Sequence, residues 1–300
     1  MFSLAATLDC LIWNLRMLRK NPRLVMSLGL GFLICFLLTD KTISLSREFL
    51  TDIQIMEPFI WSFANSDSIL FASLALILLL SQFPKMDAAA AYLVFRTNRL
   101  NWIIGQVLTS LVINFGYTMF LFISSIILTG GNAYLDNRWS ETATLLSFSP
   151  TSFEVALSVI RKTIKLTNPY TSAVNIFFLI AQYSMLLTTL NLALALRFGK
   201  KAGLFAMVLL SLFTYVLTPD RFMVWLQLND NLKYVANLIA AWLSPLQHAT
   251  YIMHNFGYDQ LPTIGQTQLI FGGINLTLLT LASIAVRKTY FVFAGGQQNG

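Results

Sequence analysis

The chain has 300 residues, of which 56% are hydrophobic and 11% charged, with a mean hydropathy of +0.66 and a formal charge of +7. An ordinary soluble domain is roughly 45–50% apolar and about 25% charged, so this composition excludes a soluble globular protein and predicts an all-α integral membrane protein. The cations are spread over many short loops rather than gathered on one soluble face, which argues against nucleic acid as a partner.

Residues 3–20 set Leu4, Leu8, Leu11, Ile12, Leu15 and Leu18 against Asn14, Arg16, Arg19 and Lys20 at helical spacing. With Trp13 as an anchor, this pattern predicts a helix lying in the headgroup plane, which Pro22 ends. Asp9 precedes every cation and no small-residue cleavage site follows, so a cleaved signal peptide is not expected. Cys10 and Cys35 have neither metal-site nor disulfide-framework spacing and read as small apolar residues.

Six runs without a charged residue follow, at 24–39, 68–83, 103–129, 171–196, 202–218 and 265–286. A span needs roughly 20 apolar residues, so these are the expected transmembrane helices, the fourth and fifth joined by a tight hairpin at 197–201. With the N-terminus inside, the segments 1–23, 84–102, 197–201 and 287–300 hold four, three, three and two Lys or Arg, and only Asp9 and Asp87 as acids. The intervening segments 40–67, 130–170 and 219–264 are much longer yet hold two, four and two cations. The positive-inside rule therefore predicts both termini in the cytoplasm.

Three short outer helices are expected. Leu45, Phe49, Ile53 and Met56 share one helical face, as do Phe153, Leu157, Ile160 and Ile164, and 232–243 is nearly all apolar before Ser244-Pro245 stops it. The stretch 222–243 reads as re-entrant; as a seventh span it would bury Asp230 and Lys233, and buried charges cost several kcal/mol, on the order of 3 each. No internal repeat, low-complexity tract or linker divides the chain, so one transmembrane domain over 1–300 is expected.

Catalytic chemistry is hard to find. A Gly-x-x-x-x-Gly-Lys-Ser/Thr loop is absent, and no serine stands in a Gly-x-Ser-x-Gly setting. His248 and His254 are six residues apart on an outer segment, which is neither metal nor dyad spacing, and they read as interfacial or loop histidines. The six runs contain none of the buried charges that ion-coupled carriers use. No enzyme activity, metal or cofactor is expected of this chain, and any energy source would belong to another polypeptide.

Such a partner needs a handle, and the hinge 84–102 offers one. Pro84 stops the preceding run, Asp87 to Phe95 has high helix propensity, and Arg96 and Arg99 suit the end of that helix. Trp102 is expected to anchor the next span at the interface. The bland reading is a positive-inside turn.

The order amphipathic helix, span, outer segment, span, basic loop, span resembles the ABC-2-type permeases, the membrane subunits of ABC exporters. At residue level the likeness rests on Pro58-Phe59, Phe83-Pro84 and Arg96-Thr97-Asn98-Arg99-Leu100-Asn101-Trp102 through Gln106, and is similar to permeases of Gram-positive bacteria. The resemblance implies a six-span domain in the bacterial plasma membrane, paired with a second permease as a homo- or heterodimer and driven by a separate ATPase that binds ATP and magnesium. It implies that the ATPase docks within 84–101, on Pro84, Lys85, Asp87, Tyr92, Arg96, Arg99 and Trp102, braced by a connecting helix bearing Trp13, Arg16, Arg19 and Lys20. It also implies that 222–247 is the re-entrant region between spans five and six. The 41-residue segment 130–170 departs from the family pattern. The uncharged runs, with Asn114, Asn175, Asn191 and Asn275, suit export of an amphiphilic peptide, lipid or drug, or else helix–helix contacts. An energy-independent channel, carrier or scaffold is the alternative.

Overall fold

In the computed structural model, which describes residues 2–86, 88–130, 133–148 and 161–289, nearly every element is a helix. In chain order these are α1 (Leu4–Arg19), α2 (Pro22–Phe49), α3 (Glu57–Phe63), α4 (Ser66–Leu80), α5 (Ala88–Thr97), α6 (Arg99–Thr129), α7 (Glu141–Phe148), α8 (Arg161–Leu166), α9 (Pro169–Phe198), α10 (Lys200–Val216), α11 (Pro219–Trp225), α12 (Lys233–Leu243), α13 (Pro245–Ala249) and α14 (Ile264–Lys288). Two-residue strands β1 (Ile53–Gln54) and β2 (Ala133–Tyr134) pair in parallel.

α2, α6, α9 and α14 are each long and apolar enough to cross a membrane. Two more pairs, α3 with α4 and α10 with α11, pass the same test only together and are bent by 88° and 72°. The architecture thus offers four helices long and apolar enough to cross a membrane, or six if each bent pair counts as one, and the six charge-free runs fall within α2, α4, α6, α9, α10 and α14 to within a few residues.

The packing logic is that of a bundle in lipid. α2 turns Ser27, Gly31, Cys35, Thr39, Thr42 and Ser46 inward and leaves Val25, Met26, Leu33 and Leu37 exposed. Lipid solvates leucine as well as a neighbouring helix does, so small residues mark the contacts where backbones approach. Gly31 sits against Leu121 and Tyr117, Ser27 donates to the Ala75 carbonyl at 2.7 Å, and Tyr117 donates to the Ala72 carbonyl at 2.9 Å. α9 is the central helix, packed on α14, α10 and α6. Of the four asparagines named as a lining, three serve such contacts. Asn114 bonds Thr188, Asn275 accepts from Thr189 and Asn191 donates to the Phe83 carbonyl.

The first expected outer helix is corrected. Residues 45–49 continue α2, and the chain leaves the helix at Leu50 (φ 53°), so Ile53 lies in β1 and Met56 caps α3. Asp40, Lys41, Arg47 and Glu48 end the apolar run but not the hydrogen-bonded helix. The second expected outer helix falls mostly on residues outside those described, with only α8 placed. The stretch 222–243 is broken at 226–232 between α11 and α12, so it forms no continuous helix of spanning length.

At the end opposite residues 84–102, β1, α3 and the 133–142 stretch form a small cap. Glu57 is fully buried there. It accepts from the Ser140 N–H at 2.7 Å and the Ser140 hydroxyl at 2.6 Å, and also from the Gln54 backbone. Trp61 stacks on Trp139 with ring centroids 5.1 Å apart.

Candidate functional site: the hinge between α4 and α6

The hinge is bolted to four other helices. Arg23 and Asn21 at the start of α2 donate to Ser81 and Gln82, while Asn191 of α9 holds the Phe83 carbonyl at 2.6 Å. Pro84 is buried, Lys85 is half-exposed, and Asp87 lies outside the described residues.

α5 is amphipathic in an instructive way. Ala90, Ala91, Val94 and Thr97 face inward, as an i, i+1, i+4, i+7 stripe must. Tyr92, Phe95 and Arg96, at i, i+3 and i+4, share the opposite face; Tyr92 is 59% and Phe95 86% exposed.

Asn98, at φ 75°, breaks the helix and caps α6 by accepting from the Asn101 N–H at 2.9 Å. Arg99 therefore belongs to the next helix, which corrects its expected place in the last turn of α5. Its guanidinium reaches the other way and donates to the carbonyls of Val286 (2.9 Å) and Arg287 at the end of α14. A cation there satisfies carbonyls that the helix leaves unpaired and meets the negative end of its dipole. The Thr289 hydroxyl adds a bond to the Leu196 carbonyl of α9 at 3.0 Å. Arg99→Ala is expected to fray the last turn of α14 by about 1–2 kcal/mol. Hydrogen exchange at 284–288 would accelerate roughly tenfold, with Arg99→Lys keeping part of the protection.

α1 packs beneath this hinge through Thr7, Cys10 and Asn14. The Ser3 N–H donates to Asn101 and Asn14 to Thr109, at 3.1 and 3.0 Å. Thr97 spends its proton on the Leu93 carbonyl, so the Cys10 thiol is the donor in the 3.6 Å contact with the Thr97 oxygen. Leu4, Leu8 and Ile12 stay exposed on the far side, with Arg16, Arg19 and Lys20 also exposed and Trp13 half-buried. An exposed apolar stripe beside exposed cations suits a headgroup plane. Trp102 does not anchor at an interface; it is fully buried among α1, α5, α9 and α14 side chains.

Around the hinge stand Arg96, Arg197, Lys200, Lys201, Arg287 and Lys288, all exposed. The two ion pairs among the described residues, Arg138–Asp136 and Lys162–Asp259, lie elsewhere. No three His, Cys, Asp or Glu side chains among the described residues gather as a metal site.

Phe95 escaped the residue-level reading, which treated it as helix-forming filler. Of the two histidines, His254 lies in a loop as expected and His248 in α13, and both are buried rather than interfacial and meet at Thr267. No family model, curated protein or solved structure matches the chain.

Proposed function

We propose that the chain is the membrane subunit of an ATP-driven exporter of the ABC-2 type, moving an amphiphilic peptide, lipid or drug across a bacterial plasma membrane. In this reading six spans (α2, α4, α6, α9, α10 and α14) place both termini in the cytoplasm. A second permease completes the path, and a separate ATPase docks on α5. The observation that carries the reading is the exposed Tyr92–Phe95–Arg96 face on a short helix rooted in α1, α9 and α14. Two aromatics and a cation are the residue types that anchor protein interfaces. A plain turn has no need to hold them out of the bundle.

The exposed aromatic and cationic face suits a docking helix. The charge-free runs supply apolar and uncharged hydrogen-bonding surface suited to an amphiphile. Phe95→Asp combined with Arg96→Glu is expected to abolish both transport and retention of a nucleotide-binding subunit during detergent purification. Both side chains are exposed, so the melting temperature of the purified chain should stay the same. Intact transport in that variant, or wild-type protein that never retains an ATPase from native membranes, would sink the proposal.

A further inference from the structure

The two histidines of the chain converge on one hydroxyl at the end of α14 opposite the hinge. His248 Nδ1 and His254 Nε2 each lie 3.0 Å from Thr267 Oγ1. The other ring nitrogens face backbone carbonyls: His248 Nε2 meets Trp242 O at 3.2 Å, and His254 Nδ1 meets Thr250 O and Tyr251 O at 3.0 and 3.2 Å. The cluster is closed to bulk solvent: His254 and Thr267 are 0% exposed and His248 is 3%. Ring edges of Trp242 and Phe271 close it further.

Counting hydrogens decides what this arrangement holds. A carbonyl only accepts, so His248 Nε2 and His254 Nδ1 must each carry a proton. That uses up the one N–H of each neutral ring, and leaves both inner nitrogens as acceptors facing Thr267. A hydroxyl has one hydrogen, so it satisfies one of them, and the other points its lone pair at an oxygen 3.0 Å away. Four ring nitrogens in polar contact need four hydrogens, the Thr250 and Tyr251 carbonyls sharing the one on His254 Nδ1, and two neutral imidazoles with one threonine supply three. Switching the tautomer of either ring only moves the mismatch to a carbonyl. One added proton closes the count: the imidazolium donates to Thr267, and Thr267 donates to the neutral ring.

The geometry points to a single-proton binding site formed by His248, Thr267 and His254, which fastens the 242–254 stretch to the first turns of α14 when occupied. The inference is independent of the permease reading. A second proton is excluded by the same count, because two imidazolium rings would leave Thr267 facing two donors with its own hydrogen stranded.

Charges near the site set where it titrates. Among the described residues the facing cation is Lys162 of α8, which donates to the His254 carbonyl and pairs with Asp259. α14 and α13 bring no other titratable group to the cluster, and Tyr251 directs its hydroxyl to Ser172. Burial holds both rings below the ordinary histidine range, and Lys162 adds to this for His254. Occupancy therefore rises on acidification rather than at neutral pH.

The chain has only two histidines, so ¹⁵N-histidine labelling gives four ring-nitrogen signals that can be followed by NMR between about pH 8 and pH 4. The expected result is uptake of one proton by the pair while the protein stays folded, with the second ring remaining neutral. Thr267→Val should remove that step or lower its midpoint by about one pH unit or more, and Thr267→Ser should retain it. Independent titration of both rings, no titration before unfolding, or an unchanged profile in Thr267→Val would overturn the assignment. Should Thr267→Val fail to fold, the wild-type and Thr267→Ser titrations still decide it.

Discussion

Replacing Glu57 with alanine is expected to open the cap formed by β1, α3 and the 133–142 stretch. The carboxylate is the common acceptor for the Ser140 N–H, the Ser140 hydroxyl and the Gln54 backbone, all beneath the Trp61–Trp139 stack. Its removal strands those donors in a buried site, at about 1–3 kcal/mol each when a buried donor is left unsatisfied. A local loss of about 3–5 kcal/mol follows, read as faster hydrogen exchange at Ile55, whose N–H donates to Tyr134 O at 3.1 Å. The same residue imposes a pH dependence of definite sign. Burial outweighs the three hydrogen bonds and raises the Glu57 carboxyl to about 7, from 4.5. Between those values the folded chain keeps a proton that the unfolded chain has released, so the stability is full below about pH 4.5 and falls as pH rises to about 7. The span of that loss is about 3 kcal/mol at 1.36 kcal/mol per pH unit. Glu57→Gln should flatten the slope in protection factors across this window. A wild-type cap whose protection factors rise with pH would contradict the burial argument.

What the sequence made legible was the membrane pattern, and the reason is physical. Lipid imposes a charge-free run of roughly 20 residues, which Thr171 to Leu196 satisfies and Leu24 to Thr39 approaches, without regard to which residues touch. Helix continuity answers to a different constraint. Backbone hydrogen bonding carries α2 past Asp40 and Lys41 to Phe49, although hydropathy stops at Thr39. The inward stripe Ser27, Gly31, Cys35, Thr39 is visible in the sequence once small residues rather than large ones are taken as the contact face.

At the hinge, the alanine-rich run announced a helix, and α5 occupies Ala88–Thr97. The role of Arg99 was out of reach, because its partners Val286 and Arg287 are almost two hundred residues away and offer only backbone. Glu57 and Ser140 are likewise 83 apart. For the histidines the six-residue spacing gave no sign that both rings face Thr267, a residue type so common in this chain that nothing singled it out.

A tight helix crossing lies under the hinge, and its failure is expected to have a large effect on packing. A Cβ on Gly105 would stand 2.6 Å from Cys10 Cβ and 3.3 Å from the Thr7 carbonyl, so only glycine lets α1 and α6 approach this closely. The crossing is held by Asn14 to Thr109, Ser3 to Asn101, and Cys10 to Thr97, and none of those bonds can stretch by an ångström and survive. Gly105→Leu is therefore expected to lift α1 off α6, costing about 1–3 kcal/mol for overpacking, and more where the hydrogen bonds also break. Cys10 reports the event directly: its thiol is 0% exposed in the native crossing, as is that of Cys35 between α2 and α6. Maleimide should label neither cysteine in the folded wild type, whereas Gly105→Leu should speed labelling of Cys10 by roughly ten- to a hundredfold at about 1.4 kcal/mol per factor of ten. Cys35 separates this outcome from general unfolding, since detachment of α1 leaves it protected and collapse of the bundle exposes both. Labelling of Cys35 in step with Cys10, or no change in either, would refute the steric account of the crossing. With α1 detached, α5 loses its floor while Arg99 still holds α6 to the end of α14. Tyr92, Phe95 and Arg96 would then remain displayed but no longer stand on a rigid base, and under the proposed reading of α5 as a docking helix, one that yields under load transmits no force to the helices beside it.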